Sequence, residues 1–312
     1  MERTPNRRKR YLAFIALALI AGPVDQSVSS SFLVGSPLPA FHSLAIAAGA
    51  AAIVLAMAAA IRRQRLPKRI EWTALLLLIL PQWCLVPIGP NTASLPLLHL
   101  GWGTALLLSL AAPIWLGLLS ATGPLELEVP RTTVAAAIIG IGAICLSLPL
   151  DVTAVGWRQL PALLLNVLLG IAIVASWCYA RPRLSACPVL SAAAAYLALS
   201  CVGYLAFAGA YERGVSHAPG WNLSWATLIP EVVTLAVSWA LWFWLLKHLS
   251  LAAFSMRMLA NCAATLLPGF LFFGLAQWRI DAAFVIACVA VAIALRATPA
   301  REQPVLLGLA DS

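Results

Sequence analysis

The sequence predicts an all-α membrane protein whose ten transmembrane helices form two inverted five-helix repeats. Three observations lead to this fold class: an apolar composition, a series of long apolar segments with basic residues at alternate connections, and an internal repeat. Of the 312 residues, 62% are hydrophobic and only 10% are charged, and the mean hydropathy is +0.93. In a typical soluble domain, about a quarter of the residues are charged. Lipid must therefore solvate much of this protein's surface.

Ten segments are long and apolar enough to cross a bilayer. A transmembrane helix needs about 20 apolar residues to cross a hydrocarbon core of about 30 Å. The predicted spans are 11–34, 40–61, 72–90, 96–120, 132–150, 160–180, 188–210, 223–246, 251–276 and 280–296.

The distribution of Lys and Arg tests the number of spans independently. With a cytoplasmic N-terminus, the inner segments hold sixteen of these residues, the outer loops hold three, and Arg257 lies within a span. Basic residues concentrate in cytoplasmic loops. An odd number of missed or extra spans would remove this bias, so the count is even and both termini are predicted to be cytoplasmic. Richness in Ala and Arg favours a bacterium of high GC content as the source.

An internal repeat divides the chain into residues 1–150 and residues 151–312, with five predicted spans in each. A shift of 149 residues brings several of the less common residues into register. The aligned pairs are Pro39 with Pro188, Trp72 with Trp221, Pro81 with Pro230, His99 with His248, and Leu100 with Leu249. A repeat with an odd number of spans reverses its orientation in the membrane. Inverted repeats allow a carrier to alternate between two open states around one central site.

Two helix pairs resemble the drug/metabolite transporter superfamily, and within it the EamA-type permeases. In the N-terminal half, the sequence LAAP at 110–113 is followed by the turn at 122–123, the acidic Glu126 and the glycines Gly140 and Gly142. In the C-terminal half, LWFWLLKHLS at 241–250 is similar to that family's junction before its ninth helix. The resemblance implies ten helices in two repeats and an inner-membrane carrier or exporter of small metabolites.

Asp25 is a candidate binding residue because an ionisable group within a span is costly unless it faces water or a partner. Gly22 and Pro23 precede it and should break the helix. The functional hypothesis is a proton or cation site on a discontinuous helix, to which the neighbouring Gln26 contributes. The alternative is a first span that ends at Gly22 and leaves Asp25 in a solvated loop.

Glu231 follows Pro230 in the eighth predicted span. It could bind a proton, which would couple transport to a proton gradient, or it could bind a cationic group of the solute. The alternative is a helix that starts at Pro230, with Glu231 in its first turn at the positive end of the helix dipole.

Arg257 lies seven residues after Ser250 in the ninth predicted span, and Asn261 follows it by one helical turn. A guanidinium that faces a central cavity could bind a carboxylate or phosphate through two hydrogen bonds. The alternative is an Arg side chain that extends to the inner membrane surface. Trp83 is a further candidate for the cavity wall. The same wall could include Trp115, Trp239, Trp242 and Trp244, although a lipid-facing or interfacial position is favoured for most of these tryptophans.

These residues favour a secondary carrier of a small solute, such as an amino acid or a related zwitterion or anion, with a proton or cation as the coupling ion. No phosphate-binding loop, metal motif or nucleophile motif is present, so no cofactor, metal or enzymatic activity is expected. The basic residues lie at the ends of segments, which does not favour nucleic-acid binding. The alternatives are a non-catalytic membrane component and, less favoured, a membrane-embedded transferase. The sequence leaves open whether the protein is a monomer or a homodimer.

Overall fold

The computed structural model describes residues 8–20, 40–85, 110–122, 129–147, 160–211, 225–272 and 278–297, and these residues form helices joined by short turns. We number the helices in chain order. They are α1 (residues 8–20), α2 (Ala40–Ile61), α3 (Arg69–Leu85), α4 (Ala112–Ala121), α5 (Arg131–Ser147), α6 (Leu160–Leu184), α7 (Val189–Tyr211), α8 (Trp225–His248), α9 (Leu251–Ser255), α10 (Arg257–Phe272) and α11 (Trp278–Ala297). The prediction of an all-α protein is confirmed for this part of the chain.

Five helices of the described residues are long and apolar enough to cross a membrane. They contain the segments Phe41–Ile61, Leu163–Leu184, Val189–Ala210, Leu228–His248 and Trp278–Ala297. Three shorter apolar helical segments accompany them, at Ala112–Ala121, Arg131–Cys145 and Leu251–Leu267. Helices suit a lipid environment because each backbone N–H and C=O group finds its partner within the same segment.

Small residues form the interfaces between helices, and large apolar residues face outward. Helix α2 packs most extensively against α7, and α5 packs most extensively against α11. The buried residues of these four helices include Ala45, Ala47, Ala48 and Ala51 of α2, Ala192 to Ala195 of α7, Ala136 and Ala137 of α5, and Ala287, Ala290 and Ala294 of α11. Ile53, Val289 and Ile293 are exposed. This arrangement is typical of helices that associate within lipid.

Gly140 allows α5 to approach two other helices closely. A Cβ atom at this position would lie 3.3 Å from the Cβ of Ala290 in α11 and still closer to the side chain of Leu259 in α10. A Cβ atom at Gly142, two residues later on the same helix, would meet nothing within 4 Å. Only the first of the two glycines is therefore required by packing.

The ninth predicted span, 251–276, contains a one-residue break at Met256, which divides its described part into two helices. Helix α9 ends at Ser255, whose hydroxyl donates a hydrogen bond of 2.8 Å to the carbonyl of Ala252. The N–H of Met256 then bonds to the carbonyl three residues back, at Ala253, instead of four. This tighter turn separates α9 from α10, and Arg257 becomes the first residue of α10.

One end of the bundle carries the basic side chains Arg10, Arg65, Arg181 and Lys247, and we call it the basic end. Here the guanidinium groups of Arg10 and Arg181 donate to the carbonyls of His248 (3.2 Å) and Leu249 (2.7 Å). These carbonyls lie at the C-terminal end of α8, where no backbone N–H of the helix is available to bond with them. At the same end the hydroxyl of Tyr11 donates to the carbonyl of Leu295, at 2.9 Å. The starts of α1 and α9 therefore lie beside the ends of α6, α8 and α11.

An ion pair between Arg65 and Glu71 fixes the connection between α2 and α3. Nη1 and Nη2 of Arg65 donate to Oε2 and Oε1 of Glu71 at 2.7 and 2.5 Å, and the backbone N–H of Lys68 donates to Oε2 at 2.6 Å. The Glu71 side chain is buried. Hydrogen bonds from Arg65 are the main reason that the pKa of Glu71 falls from 4.5 to about 2.

We expect the substitution Gly140→Val to lower the melting temperature of the purified protein more than Gly142→Val. Both substitutions have the same cost in helix propensity, whereas only the first forces α5 away from α10 and α11, and overpacking costs about 1–3 kcal/mol. Thermal unfolding in detergent, followed by size-exclusion chromatography, measures the difference. Equal melting temperatures for the two variants would contradict the packing described here.

We expect the stability contributed by the Arg65–Glu71 pair to be lost in acid. The folded-state pKa of Glu71 is about 2, below its ordinary value of 4.5. The contribution is thus complete above pH 4.5 and is lost as the pH falls towards 2. The variant Glu71→Gln should unfold at a lower temperature than wild type at about pH 6 and lose less further stability between about pH 6 and about pH 3. Parallel acid profiles for the two proteins would exclude this role for the pair.

Candidate functional site

The guanidinium of Arg257 lies among three aromatic rings from three helices. Its Cζ atom is 5.4 Å from the ring centroid of Trp177 in α6, 5.3 Å from that of Trp242 in α8 and 5.2 Å from that of Phe254 in α9. Each distance is within the range of about 6 Å over which a cation is attracted by an aromatic ring. Arg257 is half-buried, whereas the three rings are buried.

These rings belong to a larger aromatic cluster, which comprises Trp177, Tyr196, Trp239, Trp242, Phe243 and Phe254. Phe254 packs edge-on against Trp177 and Trp242, with centroid distances of 5.3 and 5.1 Å. Tyr196 of α7 lies 4.1 Å from Trp239. The cluster joins α6, α7, α8 and α9, so four helices of the C-terminal half hold the position of Arg257. Such rigid packing can keep a charged group oriented within an apolar environment.

Several buried polar atoms of the site have no hydrogen-bond partner among the described residues. They are Nε1 of Trp177, Nε1 of Trp242 and Oδ1 of Asn261. Asn261 is only 4% exposed and follows Arg257 by one helical turn, so the two side chains share one face of α10. A buried polar group without a partner costs about 1–3 kcal/mol. A bound solute or water molecule would remove that cost.

The chemistry of the site favours an anion or a zwitterion. Arg257 and the two indole N–H groups are hydrogen-bond donors, and a guanidinium can bind a carboxylate through two hydrogen bonds. Oδ1 of Asn261 is an acceptor, which can bind an ammonium or another donor. The aromatic rings provide an apolar wall. Hydrogen-bond donors, an acceptor and an apolar wall together form an arrangement that can bind a small solute.

Glu231 lies in the same helix as Trp242 but at a different depth. Helix α8 begins at Trp225, so Pro230 is inside the helix, and the alternative in which the segment starts at Pro230 is wrong. The hydroxyl of Thr234 donates a 2.6 Å hydrogen bond to the carbonyl of Pro230. Glu231 is half-buried and lies eleven residues before Trp242, which is about 16 Å along the helix axis. The structure thus brings Arg257 and Asn261 together and leaves Glu231 apart from them.

Three other candidates cannot be located in the site. Asp25 and Gln26 lie outside the described residues. Trp83 lies in the last turn of α3, and its side chain is outside the described part.

Sequence reasoning identifies only part of the aromatic surroundings of Arg257. Trp177 and Phe254 carry no signal of their own in an apolar sequence. For Trp239 and Trp242 the sequence leaves both a cavity wall and a lipid-facing position open. Trp242 is only 2% exposed and Trp239 packs beside it within the aromatic cluster, so the lipid-facing alternative is wrong for Trp242.

One of three comparisons with known proteins finds a structure that shares the fold of this chain. No protein-family model matches the chain, and no curated protein matches it. A solved structure described only as the crystal structure of a protein aligns with 93% of this chain, and the alignment covers 97% of that protein's chain. The TM-score is 0.68 and the sequence identity is 15%. At this identity the similarity shows a shared fold and nothing about activity.

We expect Trp242→Phe to unfold at the same temperature as wild type or at a higher one. The phenyl ring retains most of the packing and removes an N–H group that has no partner among the described residues. Trp242→Ala leaves a cavity and should destabilise the protein by about 3–5 kcal/mol. Thermal unfolding of the three solute-free proteins provides the comparison. A large loss of stability in Trp242→Phe would show that the N–H group has a structural role.

Proposed function

We propose that this chain is a secondary carrier of the bacterial inner membrane, related to the EamA-type permeases of the drug/metabolite transporter superfamily. Ten transmembrane helices in two inverted five-helix repeats alternately expose one site to the two sides of the membrane. The solute is a small anion or zwitterion, such as an amino acid. The Arg257–Asn261 face of α10 binds it, while Asp25, Gln26, Glu231 and Trp83 are candidates for solute binding or for coupling to a proton or cation.

The packing of the helices supports the inverted repeat. The shift of 149 residues places α2 on α7 and α5 on α11, and these are the two most extensive helix pairs between the halves. The same shift places residues 76–85 of α3 on residues 225–234 of α8. Correspondingly, α8 packs against α2, and α3 packs against α7. An axis that relates two halves predicts this exchange of contacts.

The contacts at the basic end support an even number of crossings. The start of α1, the connection between α6 and α7, the junction between α8 and α9, and the end of α11 all lie at this end. A chain returns to the same side of a membrane only after an even number of spans. The positive-inside rule assigns this side to the cytoplasm.

The observation that carries the proposal is the position of Arg257. A charged residue in an apolar helix bundle is costly, and such residues mark substrate and ion pathways. Here the guanidinium lies against Trp177, Trp242 and Phe254, beside three buried polar atoms without partners among the described residues. A solute bound beside Arg257 would satisfy those atoms.

We expect Arg257→Gln to lower the initial rate of solute uptake by about tenfold or more, because a hydrogen bond to a charged group contributes about 1.5–3 kcal/mol. The measurement is uptake into proteoliposomes from labelled pools of metabolites. The matched control is Arg183→Gln. Arg183 also lies over an aromatic ring, with its Cζ 3.5 Å from the centroid of Tyr179, but it lies one residue before the end of α6 at the basic end. This variant should retain wild-type uptake.

Two results would overturn the proposal. Unchanged uptake by Arg257→Gln would remove Arg257 from the solute pathway. Uptake by wild type that equals that of protein-free vesicles for every pool would exclude the carrier, and a non-catalytic membrane component would become the better hypothesis.

A further inference from the structure

A polar network at the basic end joins parts of the chain that are distant in the sequence. Besides its ion pair with Glu71, Arg65 donates from Nη2 to the carbonyl of Ala186, at 3.0 Å, in the connection between α6 and α7. The next carbonyl, that of Cys187, accepts a 2.9 Å hydrogen bond from Nζ of Lys247, in the last turn of α8. The network therefore ties the α2–α3 connection of the N-terminal half to two elements of the C-terminal half.

Cys187 occupies the centre of this network. The residue is fully buried, and its carbonyl and that of Ala186 accept the hydrogen bonds from Lys247 and Arg65. Burial, followed by the negative charge of Glu71, raises the pKa of Cys187 from 9.0 to about 12. Because the thiolate is the reactive form, this thiol should react slowly with alkylating reagents while the network is intact.

The network lies at the ends of two helices that carry aromatic rings of the candidate site. Trp177 is seven residues from the end of α6, and Trp242 is five residues before Lys247. These separations correspond to about 10 Å and about 8 Å along the helices. Helices α6 and α8, which hold Trp177 and Trp242, thus end beside the α6–α7 connection. The network joins this connection to the α2–α3 connection. Movement of these helix ends relative to α3 would open or close a route to the site.

We propose that the network of Arg65, Glu71, Cys187 and Lys247 is the gate that closes the solute pathway at the basic end, with Glu71 as its positioning residue. This inference rests on the proposed carrier function. The polar contact between the halves here is the hydrogen bond from Arg65 to the carbonyl of Ala186, and α3 packs beside it against α6 and α7 less extensively than α2 packs against α7 and α5 against α11. A gate must separate in every cycle, and a few hydrogen bonds that water can replace separate more readily than a packed apolar interface.

The experiment measures the accessibility of two thiols and requires no solute. In one protein Cys187 is the only cysteine, and the other six are replaced by Ala; in the second protein, all seven are replaced and Asn261→Cys provides the thiol. A membrane-impermeant maleimide is added to intact cells or to inverted membrane vesicles. We expect both thiols to react slowly in inverted vesicles. Glu71→Gln should accelerate both reactions by about tenfold or more, because opening of the gate exposes both thiols to the reagent. The thiol of Cys187 also gains thiolate character once the carboxylate is removed.

Two controls separate gating from loss of fold. Arg69→Gln removes an exposed charge two residues before Glu71 and should leave both labelling rates unchanged. Glu71→Asp keeps the negative charge on a shorter side chain and should give labelling rates between those of wild type and Glu71→Gln. Melting temperatures and size-exclusion profiles verify that each variant is folded.

Unchanged labelling in Glu71→Gln would overturn the gate, as would faster labelling of Cys187 without faster labelling at position 261. In the latter case the network would only hold the shape of the connections. Failure of the gate and failure of the carrier are distinguishable. Solute uptake by wild type with unaltered labelling in Glu71→Gln removes only the gate, whereas accelerated labelling of both thiols without uptake of any solute removes only the carrier.

Discussion

The close approach of small residues across the two halves is the constraint on which the remaining structure depends. Lipid solvates a leucine as well as another helix does, so helices in a membrane associate through close packing. The alanine-rich faces of α2 and α7 and of α5 and α11 provide that packing, and Gly140 extends it to α10. With these two pairs in place, α3 and α8 pack against the helices of the opposite half. The aromatic cluster around Arg257 is built on that frame.

The positions of several helices follow directly from the sequence. Predicted spans 40–61 and 188–210 agree with α2 and α7 to within one residue, because long apolar runs in lipid have few structural solutions besides a helix. The break at Met256 could not be predicted in this way. It depends on the hydroxyl of Ser255 bonding to a carbonyl of the preceding turn, a local choice that hydropathy does not record.

The candidate site is predictable only in part. Arg257 and Asn261 can be identified because polar residues are rare in apolar segments, and their spacing places them on one helical face. The rings of Trp177 and Phe254 give no comparable signal, since one buried aromatic residue resembles another in an apolar sequence. The ion pair of Glu71 is not predicted from the sequence, because the positive-inside rule considers only Lys and Arg and not the acidic residues beside them. The importance of Glu71 comes from its partner Arg65, which also contacts a connection more than a hundred residues away.

The charge state of Glu71 depends on its contacts with Arg65. While these contacts are intact, the pKa is about 2 for this carboxyl and about 12 for the Cys187 thiol, so the first stays ionised and the second stays protonated near neutral pH. In the proposed carrier, a proton gradient would therefore have to act on the closed network through another acid, by moving the helices to which the network is attached.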